Sequence, residues 1–175
     1  MGSCIFIFFL YTTKVKAKSV LELGSGPALV GIAAALLGAK EVIISDLEYT
    51  LPLMRNNVNL NKDTIECERI ECMQLDWFDP PFIDTLSTSI NFPEVMIIAD
   101  CVWVEQLVNP LMDTVDKLCH DNTEVIVTYQ RRGKGAHDLF MERLHGIFSK
   151  IENVDTMECC GLDKPESISL FLCRR

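Results

Sequence analysis

The chain has 175 residues, 49% of them hydrophobic and 23% charged, with a formal net charge of -9 at pH 7. That length suits one domain with a real core, and the composition is globular with no low-complexity tract. The acidic balance argues against nucleic acid as the main partner and favours a basic protein or a cationic small molecule.

The chain opens on an apolar stretch, Cys4 to Tyr11 (CIFIFFLY), which is too short to span a bilayer. No basic residue precedes it and no small-residue cleavage site comes after it, so it fits a signal peptide poorly. Phe6 stands where a myristoylation signal needs Ser or Thr. Residues 1–14 are therefore expected to add a strand or helix to the core, or to mark a missing natural start. Residues 15–175 are expected to form the domain, and no membrane partner is expected.

Ser19–Leu23 reads as the first strand, and glycines come directly after it. Pro27 suits the first turn of a helix that runs to about Leu37, where Gly38 ends it. Glu41–Ser45 is the second strand. Thr50 is placed to cap a short helix with Pro52 in its first turn and Leu51, Met54 and Val58 on one face. Ile65–Gln74 is a third strand, and Pro80 to Glu94 the longest loop. Val95–Ala99 is a continuous apolar run of the kind found in buried parallel strands.

Asn109-Pro110 is expected to start the next helix, with Leu111, Val115 and Leu118 inward. Glu124–Thr128 is the fifth strand. Ala136–Phe148 is a helix with Leu139, Phe140, Leu144 and Ile147 at helical spacing. Ile151–Met157 and Ile168–Cys173 have no helical pattern between them and should form an antiparallel hairpin at one edge. Five strand–helix steps and a hairpin imply a three-layer α/β/α sandwich on a mostly parallel seven-stranded sheet. Ligands of such sheets sit beyond the carboxyl ends of the strands, where the strand order reverses.

Eight cysteines are present and none forms a C-x-x-C pair. Three histidines do not complete a zinc pattern. Free thiols in a reducing, cytoplasmic setting are expected, with no metal.

The turn Gly24-Ser25-Gly26 lets a ligand approach the backbone, and Glu22 lies just ahead of it. A dinucleotide fingerprint needs a third glycine where Leu29 stands. Asp46 closes the second strand twenty residues beyond Gly26, where a carboxylate can hold ribose hydroxyls. S-adenosylmethionine has no pyrophosphate and so has no use for the third glycine. Its amino group suits an anionic neighbourhood, and its carboxylate can use amides at a helix start. Asp76 and Trp77 come after the third strand, where a carboxylate can accept from an adenine amino group and an indole can cover the ring. Asp100 ends the fourth strand beside the first.

These segments, Glu22-Leu23-Gly24-Ser25-Gly26, Asp46, Leu75-Asp76-Trp77 and Ala99-Asp100-Cys101-Val102-Trp103, resemble the seven-β-strand, Rossmann-like methyltransferases. Within them the chain is similar to the family-16 protein-lysine methyltransferases, from about Val15 to the end. Ala28 stands at that family's middle glycine, and Trp103 at the tyrosine of its D-x-x-Y motif. The resemblance implies methyl transfer from S-adenosylmethionine to a lysine of a protein, often a chaperone or translation factor. It implies cofactor contacts from Glu22, Gly24, Ser25, Gly26, Asp46, Leu47, Asp76, Trp77, Ala99 and Cys101, and it puts Asp100 and Trp103 at the acceptor.

A cationic acceptor also suits the carboxylates at or beyond the strand ends: Asp46, Glu48, Asp76, Asp79, Asp100 and Glu105. The basic island Gln130 to Gly135 (QRRGKG) comes after the fifth strand and falls near the same mouth. A small-molecule methyltransferase of the same fold, or a non-catalytic binding module, are the alternatives. A dehydrogenase is disfavoured by Leu29. The chain is expected to act as a monomer.

Overall fold

A computed structural model describes residues 14–79, 93–155 and 168–175. The described strands are β1 (Ser19–Leu23), β2 (Glu41–Asp46), β3 (Arg69–Gln74), β4 (Val95–Ala99), β5 (Glu124–Gln130), β6 (Lys150–Asn153) and β7 (Ile168–Arg174). The α-helices are α1 (Leu29–Leu36), α2 (Leu51–Asn61), α3 (Glu105–Leu118) and α4 (Lys134–Ile147). The strands make one seven-stranded sheet in the order β3-β2-β1-β4-β5-β7-β6. The first five positions are parallel, and β7 runs antiparallel to both β5 and β6.

Side chains alternate across the sheet, so each strand feeds two cores. Leu21, Leu23, Met96 and Ile98 pack with α3 and α4, through Val108, Leu111, Phe140 and Leu144. Val20, Ile44, Val95 and Ile97 pack with α1 and α2, through Val30, Ala34, Leu51 and Met54. This is the expected sandwich. Both faces of β1 and β4 are covered, which is why β4 is apolar throughout and β1 nearly so, with Ser19 and Glu22 its polar members. After β3 the chain returns to the other side of β1 as β4. The strand order therefore reverses between β1 and β4, and a crevice opens there.

Several boundaries differ from the expected ones. α1 starts at Leu29 rather than Pro27, because Ala28 adopts a left-handed conformation (φ 68°) between them. Pro27 stays in the turn, where its carbonyl accepts a bond from Asn57 Nδ2 (2.8 Å). The Thr50 hydroxyl donates to the Leu47 carbonyl (2.6 Å) instead of capping α2. β3 begins only at Arg69, after a 3-10 turn over Lys62–Thr64. α3 starts at Glu105, not Asn109, with Pro110 inside it. The missing proline amide costs one early helical bond, to Gln106, so the helix tolerates it.

β5 runs two residues beyond the expected end, and α4 opens two residues earlier than Ala136. The expected extension before Lys14, the loop up to Asn91-Phe92 and the hairpin's connection lie outside the described residues. So does most of the segment that links β3 to β4, the third of the expected strand–helix steps. Among the described residues, no helix is long and apolar enough to cross a membrane, and no cluster of three or more metal-ligating side chains occurs.

Candidate active site

The crevice beyond the carboxyl ends of β1, β2 and β4 holds a pocket of about 270 Å³. Gly24, Asp46, Leu47, Tyr49, Leu75, Asp76, Trp77, Phe78, Cys101, Trp103 and Leu107 line it. Four separate stretches of chain thus converge on one cavity, near the small end of ligand sites.

Gly24 forms the floor. Its φ of +64° is a left-handed value that glycine adopts without strain. A Cβ there would lie 2.8 Å from Cys101 Sγ and 2.9 Å from the Trp77 ring. Gly24 is therefore required both for its conformation and for the two side chains that press on it. The Cys101 thiol donates to the Leu23 carbonyl (3.2 Å) and ties the exit of β4 to the glycine turn. Burial, and then the charges of Glu22 and Asp46, push this thiol far above its ordinary range. Cys101 is a neutral wall, not a nucleophile.

Asp46 faces the same turn. Its Oδ2 accepts from the Gly26 amide (2.7 Å) and its Oδ1 from the Leu47 amide (2.7 Å). Asp76 Oδ1 accepts from the Phe78 amide (2.9 Å), which fixes that carboxylate at the pocket rim. Trp77 is half-buried, with one part against the α3–α4 core and one part lining the cavity. Core packing therefore does not take Trp77 away from the pocket, since one ring meets both. Trp103 is 56% exposed at the mouth.

The remaining expected site residues do not line the pocket. Glu22 is 1% exposed, and its Oε2 accepts from the Gly31 amide (2.8 Å) at the first turn of α1. Burial raises its pKa from 4.5 to about 8, against the pull of the Ser25 hydroxyl and Gly31 amide. Burial favours its neutral form, and its place is between β1 and α1 rather than on the pocket wall. Ser25 turns inward, its amide donating to the Ser45 carbonyl (3.1 Å) and its hydroxyl to the same oxygen (3.3 Å). Gly26, at φ +55°, is half-buried, has open space where a Cβ would sit, and holds Asp46. Ala99 packs against the α1–α2 core.

Asp100 is also outside the lining. Its carboxylate is turned to β5, where Oδ2 accepts from Arg132 (2.5 Å) and Oδ1 from the Gln130 amide (3.3 Å). The expected acceptor-side position of Asp100 thus becomes a place beside the pocket, because a cation on the neighbouring loop has claimed its charge.

Sequence reasoning missed Tyr49, Phe78 and Leu107. Tyr49 and Phe78 are 79% and 65% exposed. Their position just past Asp46 and Trp77 was the available signal. An exposed aromatic directly after a strand's carboxyl end has no core to fill.

The lining fits an adenosine-bearing cation: a side-chain-free floor, two rim carboxylates and several aromatic faces. No side chain on it offers positive charge for a pyrophosphate.

A model of the lysine methyltransferase family matches residues 3–146. The protein N-lysine methyltransferase METTL21A of Xenopus tropicalis is 33% identical over 131 residues, which are 73% of this chain and 57% of that protein. The protein-lysine N-methyltransferase EFM6 of Saccharomyces cerevisiae is 29% identical over 149 residues, 79% of this chain and 59% of that protein. The chain thus spans less than two thirds of the length of either relative. Among solved structures, a ribosomal protein L11 methylase from Lactobacillus delbrueckii subsp. bulgaricus superposes with a TM-score of 0.68 at 17% identity. That match covers 99% of this chain and 79% of the other, and it bears on the fold alone.

Proposed function

Because the chain belongs to the lysine methyltransferase family, we propose that it moves a methyl group from S-adenosylmethionine to a lysine side chain of a protein. The observation that carries this reading is the convergence of Gly24, Asp46, Asp76, Trp77 and Trp103 on one pocket at the strand-order reversal.

When bound, S-adenosylmethionine supplies an electrophilic methyl on a sulfonium. The chain's own task is then positioning and exclusion of water. Asp46 accepts from ribose hydroxyls while its two oxygens keep the Gly26 and Leu47 amides in place. Asp76 accepts from the adenine amino group, and Trp77 covers the ring face. Gly24 leaves the floor open for close approach.

Trp103 lines the acceptor side. Its indole face attracts an ammonium as lysine enters. An acidic surround raises the local concentration of a cationic segment; Glu48 and Asp79 adjoin the lining residues Tyr49 and Phe78 in the chain, and Glu105 lies two residues before Leu107. A lysine amine, with an ordinary pKa near 10.4, must shed its proton before it attacks. A half-dry pocket favours the neutral form. The substrate is a protein, of which chaperones and translation factors are the kinds the family resemblance names. The setting is the cytoplasm, a reading supported by the free thiols of Cys67, Cys72, Cys101, Cys119 and Cys173. The enzyme works as a monomer.

Calorimetry with S-adenosylhomocysteine and, separately, NADH tests the cofactor class. Binding of the former and not the latter is expected. Tighter binding of NADH would overturn the reading.

A further inference from the structure

We propose that Arg132 is a positioning residue of this pocket, acting through Asp100 on the turn that carries Cys101 and Trp103. The consequence for cofactor rests on the methyltransferase reading above; the geometric claim does not.

β4 ends at Ala99, and Asp100 then takes a left-handed backbone conformation (φ 60°). An L-residue enters that region at a cost, though aspartate bears it better than most. The surroundings must hold it there. Every bond that the structure gives Asp100 leads to the end of β5 or the loop beyond it. Its amide donates to the Thr128 carbonyl (2.7 Å), and its two carboxylate oxygens accept from the Gln130 amide (3.3 Å) and from Arg132 (2.5 Å). The kink directs the next three side chains. Cys101 and Trp103 line the pocket, while Val102 between them is 2% exposed in the core. The buried Val102 and the bond from the Cys101 thiol to the Leu23 carbonyl hold the first part of this turn, whereas Trp103 is itself largely exposed and depends more on the kink.

Arg132 also answers a charge problem. The mouth already holds Asp46 and Asp76. An unpaired Asp100 would add a third carboxylate and be driven outward. The basic island after β5 supplies the counter-charge, and its turn is braced from the other side. Glu105 Oε2 lies against Gly135, in the first turn of α4, so closely that no Cβ fits there. The pair is exposed on both sides, 43% for Arg132 and 31% for Asp100. Such pairs add little to global stability, so its loss is expected to be felt locally and the variants to fold.

The chain has two tryptophans, Trp77 and Trp103, so in a Trp77→Phe background fluorescence reports Trp103 alone. Arg132→Ala, Arg132→Lys, Asp100→Asn and the double variant Arg132→Ala/Asp100→Asn are compared in that background by acrylamide quenching, without cofactor. Their affinities for S-adenosylhomocysteine are measured by calorimetry with Trp77 intact. Asparagine tolerates the left-handed backbone, so Asp100→Asn removes charge and little else.

Arg132→Ala and Asp100→Asn are each expected to make Trp103 more quenchable and to weaken affinity by about threefold to tenfold, the lower part of the range of coupling between contacting residues. The double variant should be no worse than either single one, and Arg132→Lys should recover most of both signals. Unchanged quenching in Arg132→Ala, or losses that add in the double variant, would overturn the proposal. A wild-type protein that binds no S-adenosylhomocysteine would sink the functional reading instead, and the quenching series would still decide the role of Arg132.

Discussion

Glu22 and Gly31 are joined by a buried hydrogen bond, the Gly31 amide donating to Glu22 Oε2 at 2.8 Å. The bond fixes the start of α1 against β1 and so sets the glycine turn between them. Gly31 is needed for space, not conformation. A Cβ there would meet Glu22 Oε2 and Ile44 Cγ1, both at 2.7 Å. Gly31→Ala is expected to destabilise the fold by about 1–3 kcal/mol, the usual cost of overpacking. Urea unfolding measures it, and an unchanged midpoint would mean that α1 can shift freely.

The same carboxyl makes stability depend on pH. Its pKa rises from 4.5 to about 8 on folding, chiefly through burial. Between those values the folded state binds the extra proton, so Glu22's contribution is full below about pH 4.5 and is lost as pH climbs to about 8. The slope reaches about 1.4 kcal/mol per pH unit at most. Glu22→Gln should flatten the stability profile between about pH 5 and 8, the window that those two pKa values bound. Parallel profiles for the variant and the wild type would show that Glu22 is charged in the fold.

Asp46→Ala is expected to weaken S-adenosylhomocysteine binding by about 1.5–3 kcal/mol, as for hydrogen bonds to a charged group. It also strips the acceptor from the Gly26 and Leu47 amides, so the turn should loosen in amide exchange. Unchanged affinity in calorimetry would remove Asp46 from the site.

How far the sequence spoke for itself differed by level. β1 and β4 were legible to the residue, because both are buried on two faces and carry nearly unbroken apolar runs. The starts of α1 and α3 were not. Proline marks helix starts on average, but here a left-handed Ala28 postpones one start past Pro27, and α3 simply accommodates Pro110. Gly24, Asp46, Asp76 and Trp77 were read from their positions at strand ends, while Leu47, Cys101 and Trp103 came with the family resemblance, and all seven line the pocket. The inward turn of Glu22 and the capture of Asp100 by Arg132 could not. Both depend on a partner distant in sequence or on burial that only the packed helices create.

Trp103→Tyr would restore the tyrosine of the family's D-x-x-Y motif at the pocket mouth, where Trp103 is 56% exposed. The change costs no core packing. Methyl transfer to protein in a cell lysate is expected to hold or rise. A fall of more than about tenfold, or about 1.4 kcal/mol in the barrier, would mean that the indole itself is what the acceptor needs.

The identity of the methylated atom is what most directly distinguishes a protein-lysine methyltransferase from other enzymes of this fold. The protein is incubated with methyl-labelled S-adenosylmethionine and a cell lysate, and the labelled protein band is hydrolysed to amino acids. The expected result is label eluting as N-methylated lysine, reduced at limiting S-adenosylmethionine when Asp46→Ala replaces the wild type. Label in methylarginine, in nucleic acid or in a small molecule, or no label from a protein that binds S-adenosylhomocysteine, would contradict it.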